Sequence, residues 1–154
     1  MSRSILPATL ATLVALAACS KEKAAAVDTT PAVPAEAAAP AAAVQIVSPA
    51  ENDSVGPDVT VVLTKENVTI EKASGAKADG VGHYHLFLDT AAVEDGVVIP
   101  PNSKNVVHIG TGDSTYTFKG LTPGAHTLIA VIGYGDHSAM PERRDTVNFV
   151  VKAK

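Results

Sequence analysis

All five histidines of the chain lie between His83 and His137, and two of them alternate in the segment Gly82-His83-Tyr84-His85-Leu86. Histidine is the commonest metal ligand among side chains, and its unperturbed pKa lies near neutral pH. The same window holds Asp89 and Asp136, and Met140 follows shortly after it. This concentration of ligating side chains in one window indicates a site.

His83 and His85 lie on a predicted strand, two residues apart, so their side chains leave the same face of the sheet. Both can reach one ion at about 2.0–2.1 Å from each imidazole nitrogen. A fully extended strand would separate His126 from His137 by about 35 Å, which argues against five histidines on one ion. We expect a site of His83 and His85 with either His126 or His137, and His108 is a further candidate.

Cys19 is the only cysteine, which excludes metal sites built on several thiolates. Imidazole suits zinc, copper and nickel, and we expect copper or zinc. A thioether from Met140 would favour copper. Two alternatives stay open: the histidines could be hydrogen-bonded structural residues with Asp89 and Asp136 as partners, or they could bind another ligand.

Other functions find little support in the sequence. From residue 44 onward the chain has nine Lys or Arg and thirteen Asp or Glu, a balance that does not favour nucleic-acid binding. Gly112-Asp113-Ser114 resembles a hydrolase motif but opens a predicted strand in an all-β chain, and no Gly-x-Ser-x-Gly elbow is present. We therefore expect no enzyme.

The N-terminal residues have the pattern of an export signal. Residues 1–18 have a positive residue followed by a short apolar stretch, as in a secretory signal peptide. The stretch ends in Leu16-Ala17-Ala18-Cys19, which resembles the bacterial lipoprotein signal and implies a lipid on Cys19. Ser20 follows it, which resembles the outer-membrane class. We expect a bacterial cell-envelope protein, lipid-anchored in the outer membrane and facing the periplasm.

The rest of the chain divides into two parts. Residues 19–43 hold the lipidated Cys and a segment rich in Ala and Pro. Because the prolines interrupt any long helix, we expect this segment to be a tether. Residues 44–154 form one domain of short β-rich segments separated by turn residues. We expect an all-β, immunoglobulin-like sandwich of seven or eight strands. Residues 90–104 are predicted as a loop. The predicted strands are 44–47, 59–64, 68–71, 83–89, 106–109, 114–119, 126–132 and 146–151.

Residues 80–151 resemble an uncharacterised family of bacterial envelope proteins, a domain of unknown function. Its pattern is a Gly-His-His-His-Leu-like motif, a short His-containing strand, a Pro-Gly-x-His-Thr-Leu strand and a late Gly-Asp-x-x-His-like loop. Some members are described as rod-shape-determining proteins. This sequence departs from the pattern at Tyr84, where the middle histidine would stand.

A shorter stretch is similar to the periplasmic copper-resistance sandwich family. Pro123-Gly124-Ala125-His126-Thr127-Leu128 leads to Gly135-Asp136-His137 and then to a final strand. The resemblance implies an immunoglobulin-like fold and gives His137 a copper-ligand precedent by analogy. That family also uses its mature N-terminus as a ligand, which does not carry over to an acylated Cys19.

Two hypotheses of function follow. In the first, the domain binds copper or zinc through its histidines, for buffering or delivery. In the second, it is a non-catalytic interaction module with structural histidines, and it binds a protein or cell-wall partner through residues 93–104.

Overall fold

A computed structural model describes residues 44–153. The predicted signal peptide of residues 1–18, the lipidation site Cys19 and the tether of residues 19–43 lie outside the described residues. Across residues 44–153, no helix is long and apolar enough to cross a membrane.

The described residues form nine strands in two sheets. Seven of them are four residues or longer, and the other two, β2 and β4, are two residues each. In chain order the strands are β1 (Val44–Ser48), β2 (Ser54–Val55), β3 (Val59–Lys65), β4 (Thr69–Ile70), β5 (Val81–Leu88), β6 (Val106–Ile109), β7 (Thr115–Phe118), β8 (Gly124–Tyr134) and β9 (Ala139–Val151).

The smaller sheet has the order β1-β3-β7, and all of its pairs are antiparallel. The larger sheet has the order β2-β9-β8-β5-β4, and β6 also pairs with β5. Its two shortest strands pair in parallel, β2 with β9 and β4 with β5. The predicted all-β, immunoglobulin-like sandwich is confirmed.

The main core fills the space between the two sheets. On β5, Tyr84, Leu86 and Leu88 are buried in it, and alternate residues of β8 and β9 join them. Val61 and Leu63 come from the facing sheet. Each fully buried aliphatic side chain contributes about 1.5–3 kcal/mol, so this layer fixes which face of β5 turns inward.

The other residues of β5 face a second, smaller core on the outer side of the larger sheet. Phe87 packs there with Val106, Val131 and Ala139, and Ile99 covers them from the loop between β5 and β6. The loop prediction for residues 90–104 is confirmed, yet the loop is not wholly at the surface, since Ile99 is 2% exposed. This cover explains why β5 is buried on both faces.

Strand β9 begins seven residues before its predicted start, at Ala139. The pairing with β8 shifts register between Val131 and Gly133, and Glu142 has a φ of 55° beside Pro141. This is a bulge, which breaks the alternation that a sequence pattern depends on. For the same reason the sequence pattern did not predict the first half of β9.

Candidate metal centre

Strand β5 carries the first two histidines of the site. It pairs along its length with β8 and, on its other edge, with β6. His83 and His85 therefore project together from the outer face, opposite to Tyr84 and Leu86. In the β5–β6 ladder His85 is the direct partner of His108, so the third imidazole leaves the same face.

His137 reaches the group from the turn between β8 and β9. Its backbone N–H donates to the carbonyl of Tyr134 at 2.9 Å, and its own carbonyl accepts from the N–H of Ile99 at 2.9 Å. The φ of His137 is 68°, a left-handed value that histidine adopts more readily than most residues. Because Gly133 is the ladder partner of His83, this turn brings His137 beside the start of β5.

The four imidazoles converge on one point. Each of His83, His85, His108 and His137 offers a ring nitrogen, and these four atoms all lie within 4.8 Å of one another. All six pairs of ring centroids are 4.5–5.6 Å apart. Four nitrogens at about 2.0–2.1 Å from a tetrahedral ion would be about 3.3–3.4 Å apart. Side-chain adjustments of about an ångström would close the group around an ion.

The buried nitrogens of this group have no hydrogen-bond partner among the described residues. This holds for both ring nitrogens of His83, both of His85 and the Nε2 atom of His108. His83 and His85 are completely buried. Asp89 and Asp136 are not the partners of His83 and His85, because Asp89 bonds His126 and Thr127 and Asp136 accepts from Ser138. Leaving a buried polar group unpaired costs about 1–3 kcal/mol.

The environment favours the neutral form of His83, His85 and His108. Burial, together with the positive charge that His108 and His137 can carry, lowers the pKa of His83 to about 4. Burial and the three neighbouring histidines lower the pKa of His85 to about 2. Burial and His137 also lower the pKa of His108. Neutral imidazole is the form that binds a metal, so the group is ready to ligate at neutral pH.

Packing, rather than hydrogen bonding, orients two of the rings. A Cβ atom added to Gly133 would lie 2.9 Å from Cε1 of His85 and 3.2 Å from Cδ1 of Ile99. One added to Gly110 would lie 2.7 Å from Nε2 of His108. Only glycine leaves room for the two imidazoles, so Gly133 and Gly110 belong to the site although the sequence pattern did not identify them.

A pocket of about 340 Å³ opens onto the group from outside. Its floor includes His108 and His137, which are both partly exposed. Its remaining lining consists of Val98, Ile99, Pro100, Pro101, Asn102 and Asp136. The site is therefore closed to solvent at His83 and His85 and open to the pocket at His108 and His137.

His126, which was included among the candidate ligands, lies apart from the group. Its Nδ1 atom is 2.7 Å from Oδ2 of Asp89, and its Nε2 atom is 2.8 Å from the carbonyl oxygen of Thr122. Although burial lowers its pKa, these two bonds outweigh that effect and raise it. Both nitrogens are engaged at the other end of β8, so its inclusion is corrected, and His137 with His108 completes the group.

Two neighbouring residues, Met140 and Asp136, lie outside the group. Met140 points into the main core between the sheets, on the opposite side of the larger sheet from His83 and His85. It cannot supply a thioether to this site. Asp136 accepts hydrogen bonds from the N–H and the hydroxyl of Ser138, and these bonds lower its pKa.

Within residues 44–153 the group thus offers four imidazole nitrogen donors, with no carboxylate and no thiolate among them. Such a set suits zinc, copper and nickel, whereas calcium and magnesium require oxygen ligands. Fold and site together define a β-sandwich protein with a four-histidine cluster on the outer face of its larger sheet.

A family model described as a domain of unknown function, DUF4399, matches residues 61–152. The chain belongs to this family, and the expectation of an uncharacterised domain family is confirmed at that level. The match includes all four histidines of the cluster. No curated protein matches the chain.

Solved structures similar to the chain include two bacterial ones. The fibronectin(III)-like modules of Clostridium thermocellum CbhA share 13% identity at a TM-score of 0.43, over 71% of this chain and 95% of the other. The extracellular domain of a putative one component system, BT4673 from B. thetaiotaomicron, shares 12% identity at a TM-score of 0.41. That similarity covers 72% of this chain and 15% of the other.

Proposed function

We propose that this protein binds one copper or zinc ion through His83, His85, His108 and His137. One observation carries the proposal: four imidazoles from three separate segments converge, while their buried nitrogens have no hydrogen-bond partner among residues 44–153. Folding does not bring four unpaired imidazoles together without a cost. A ligand that satisfies them explains why the arrangement exists.

The energetic argument rests on His83 and His85. Each unpaired buried polar group costs about 1–3 kcal/mol, and a leucine of similar size at either position would avoid that cost. Metal binding satisfies one nitrogen of each ring and adds its free energy to the stability of the native state. A bound ion would therefore account for histidine at these two positions.

The role proposed for the site is buffering or delivery of the ion. A ligating histidine usually donates its second ring N–H to a carboxylate or carbonyl, and loss of such a partner lowers metal affinity by about 10–100-fold. Neither ring nitrogen of His83 or His85 has such a partner in the part of the chain that the structure describes. The site should thus hold its ion with moderate affinity and release it to a stronger acceptor.

The place proposed for this activity is the bacterial cell envelope. Cys19 would carry the lipid, and residues 20–43 would tether the domain to the outer membrane on the periplasmic side. An anchored metal-binding domain would act where ions first pass the outer membrane.

Metal titration tests the proposal. The purified full chain, without an added histidine tag, is stripped with chelator and titrated with Cu(II) or Zn(II) under calorimetric detection. We expect saturation at one ion per chain and loss of binding in His83→Ala and His108→Ala. His126→Ala is the matched control and should bind like wild type. Absence of saturable binding, or an equal loss in His126→Ala, would overturn the proposal.

A second candidate function, binding of a protein or cell-wall partner, has one observation in its favour. Val97 and Val98 are 49% and 64% exposed, next to each other on the loop that covers the cluster. A pull-down of envelope extract with wild type and with Val97→Ser/Val98→Ser tests it. A partner lost in the double variant while metal binding persists would support this second function beside the first.

A further inference from the structure

The four histidines are not equally fixed. His83, His85 and His108 project from paired strands, where ladder hydrogen bonds hold the backbone on both sides of β5. His137 stands on the four-residue turn of residues 135–138, at a φ of 68°. A ligand on a turn can move away from an ion with fewer contacts broken than a ligand on a central strand.

Access to the group is equally asymmetric. His83 and His85 are fully buried, whereas His108 and His137 are partly exposed and line the pocket of about 340 Å³. One water molecule takes about 30 Å³ in the liquid, so the pocket has more room than an imidazole ring or a hydrated cation needs. A ligand coming from solvent would therefore meet His137 and His108 before the other two rings.

The walls of the pocket suit the passage of a cation. Asp136 lines it, and its carboxylate accepts hydrogen bonds from the N–H and the hydroxyl of Ser138. Pro100 and Pro101 restrict the backbone of the opposite wall. A hydrogen bond from the N–H of Ile99 to the carbonyl of His137 joins this segment to the turn that carries His137.

We infer that this pocket is the port through which the ion enters and leaves, and that His137 is the ligand an incoming nitrogen donor replaces. The inference rests on the proposed metal site. Exchange then proceeds by association: the donor binds in the pocket, takes the position of the His137 nitrogen, and leaves His83, His85 and His108 on the ion. An acceptor with imidazole ligands could draw the ion out by the same route.

Chemical rescue with imidazole tests which ligand can be replaced. Glycine accepts the φ of 68°, so His137→Gly should fold, and we expect its Cu(II) spectrum to show three nitrogen ligands. Addition of imidazole should restore the four-nitrogen spectrum, because the pocket admits the free ring. His85→Ala is the matched control, since His85 is completely buried and does not line the pocket, and imidazole should not restore its spectrum. Equal rescue of both variants, or no rescue of His137→Gly, would overturn the inference.

Exchange kinetics test the route itself. Val98→Trp should narrow the pocket, and we expect the rates of Cu(II) uptake and of its removal by chelator each to fall about tenfold, with the affinity unchanged. Val150→Trp, an exposed site at the far end of β9, is the control and should exchange like wild type. Wild-type rates in Val98→Trp would contradict the port. A wild-type protein that takes up no ion would instead defeat the proposed function, and the inference with it.

Discussion

His85 and His108 lie directly opposite each other on β5 and β6, with their rings 5.0 Å apart and only 12° from parallel. No hydrogen bond from a described residue reaches either nitrogen of His85 or the Nε2 atom of His108. The pair is stacked by backbone register and by glycines that leave it room. Its orientation is thus set before any ligand arrives, which lowers the cost of ordering two ligands on an ion.

Replacement of His85 by leucine should separate stability from metal binding. In the metal-stripped protein, we expect His85→Leu to raise the free energy of unfolding by about 1–3 kcal/mol, because it removes an unpaired buried polar group. The same variant should lose metal binding. Urea unfolding with and without Zn(II) measures both effects. A variant less stable than wild type without metal would mean that the imidazole has a structural role.

His126→Leu is the matched control, because His126 is also buried but has a partner on each nitrogen. We expect it to destabilise the stripped protein by about 1–3 kcal/mol and to leave metal binding intact. The folded-state pKa of His126 is raised. The contribution of His126 to stability is therefore full below its unfolded-state pKa near 6.5 and declines as the pH rises through its folded-state pKa. The destabilisation in His126→Leu should thus be larger at pH 6 than at pH 8.

The stability of the metal-stripped protein should fall in mild acid. The pKa of His83 is lowered to about 4 and that of His85 to about 2, so both are neutral when folded and protonate on unfolding below pH 6.5. Their contribution is present above pH 6.5 and is lost as the pH falls towards 4, by up to about 1.4 kcal/mol per pH unit for each ring. Urea unfolding at pH 7, 6 and 5 measures it. His83→Leu/His85→Leu should show a flatter dependence, and an unchanged slope would contradict the neutral cluster.

A methyl group at Gly133 should weaken the site without removing a ligand. The added Cβ would stand 2.9 Å from Cε1 of His85, so the ring must shift. We expect Gly133→Ala to cost about 1–3 kcal/mol of stability and to reduce metal affinity. Gly56→Ala is the control, since nothing lies within 4 Å of its added Cβ. Wild-type affinity in Gly133→Ala would show that the position of His85 does not matter for the ion.

The sequence predicted the platform of the site because the platform depends on local periodicity. Two histidines two residues apart on a strand must share a face, and β5 indeed carries them on one face. The distance argument that separated His126 from His137 also held, since Leu128 and Gly133 pair with opposite ends of β5. The choice between His126 and His137 as a ligand depends on the direction of the chain at the turn after Tyr134. Strand periodicity does not predict that direction.

The remaining parts of the site depend on long-range register. His108 faces His85 only because β6 returns to β5 in one particular alignment after the intervening loop. Met140 follows His137 closely in sequence, but the bulge of β9 turns it into the opposite core. Gly110 and Gly133 carry no side chain to signal a role, and their function is visible only where the imidazoles pack against them.

Thermal unfolding of the chelated full chain, with and without Cu(II) or Zn(II), tests the central claim most directly. A ligand that binds only the native state stabilises it by about 2.7 kcal/mol when its free concentration is about 100 times the dissociation constant. We predict a midpoint that rises with metal concentration in wild type and does not move in His83→Ala/His85→Ala. An unmoved wild-type midpoint, or the same rise in the double variant, would contradict a metal site at this cluster.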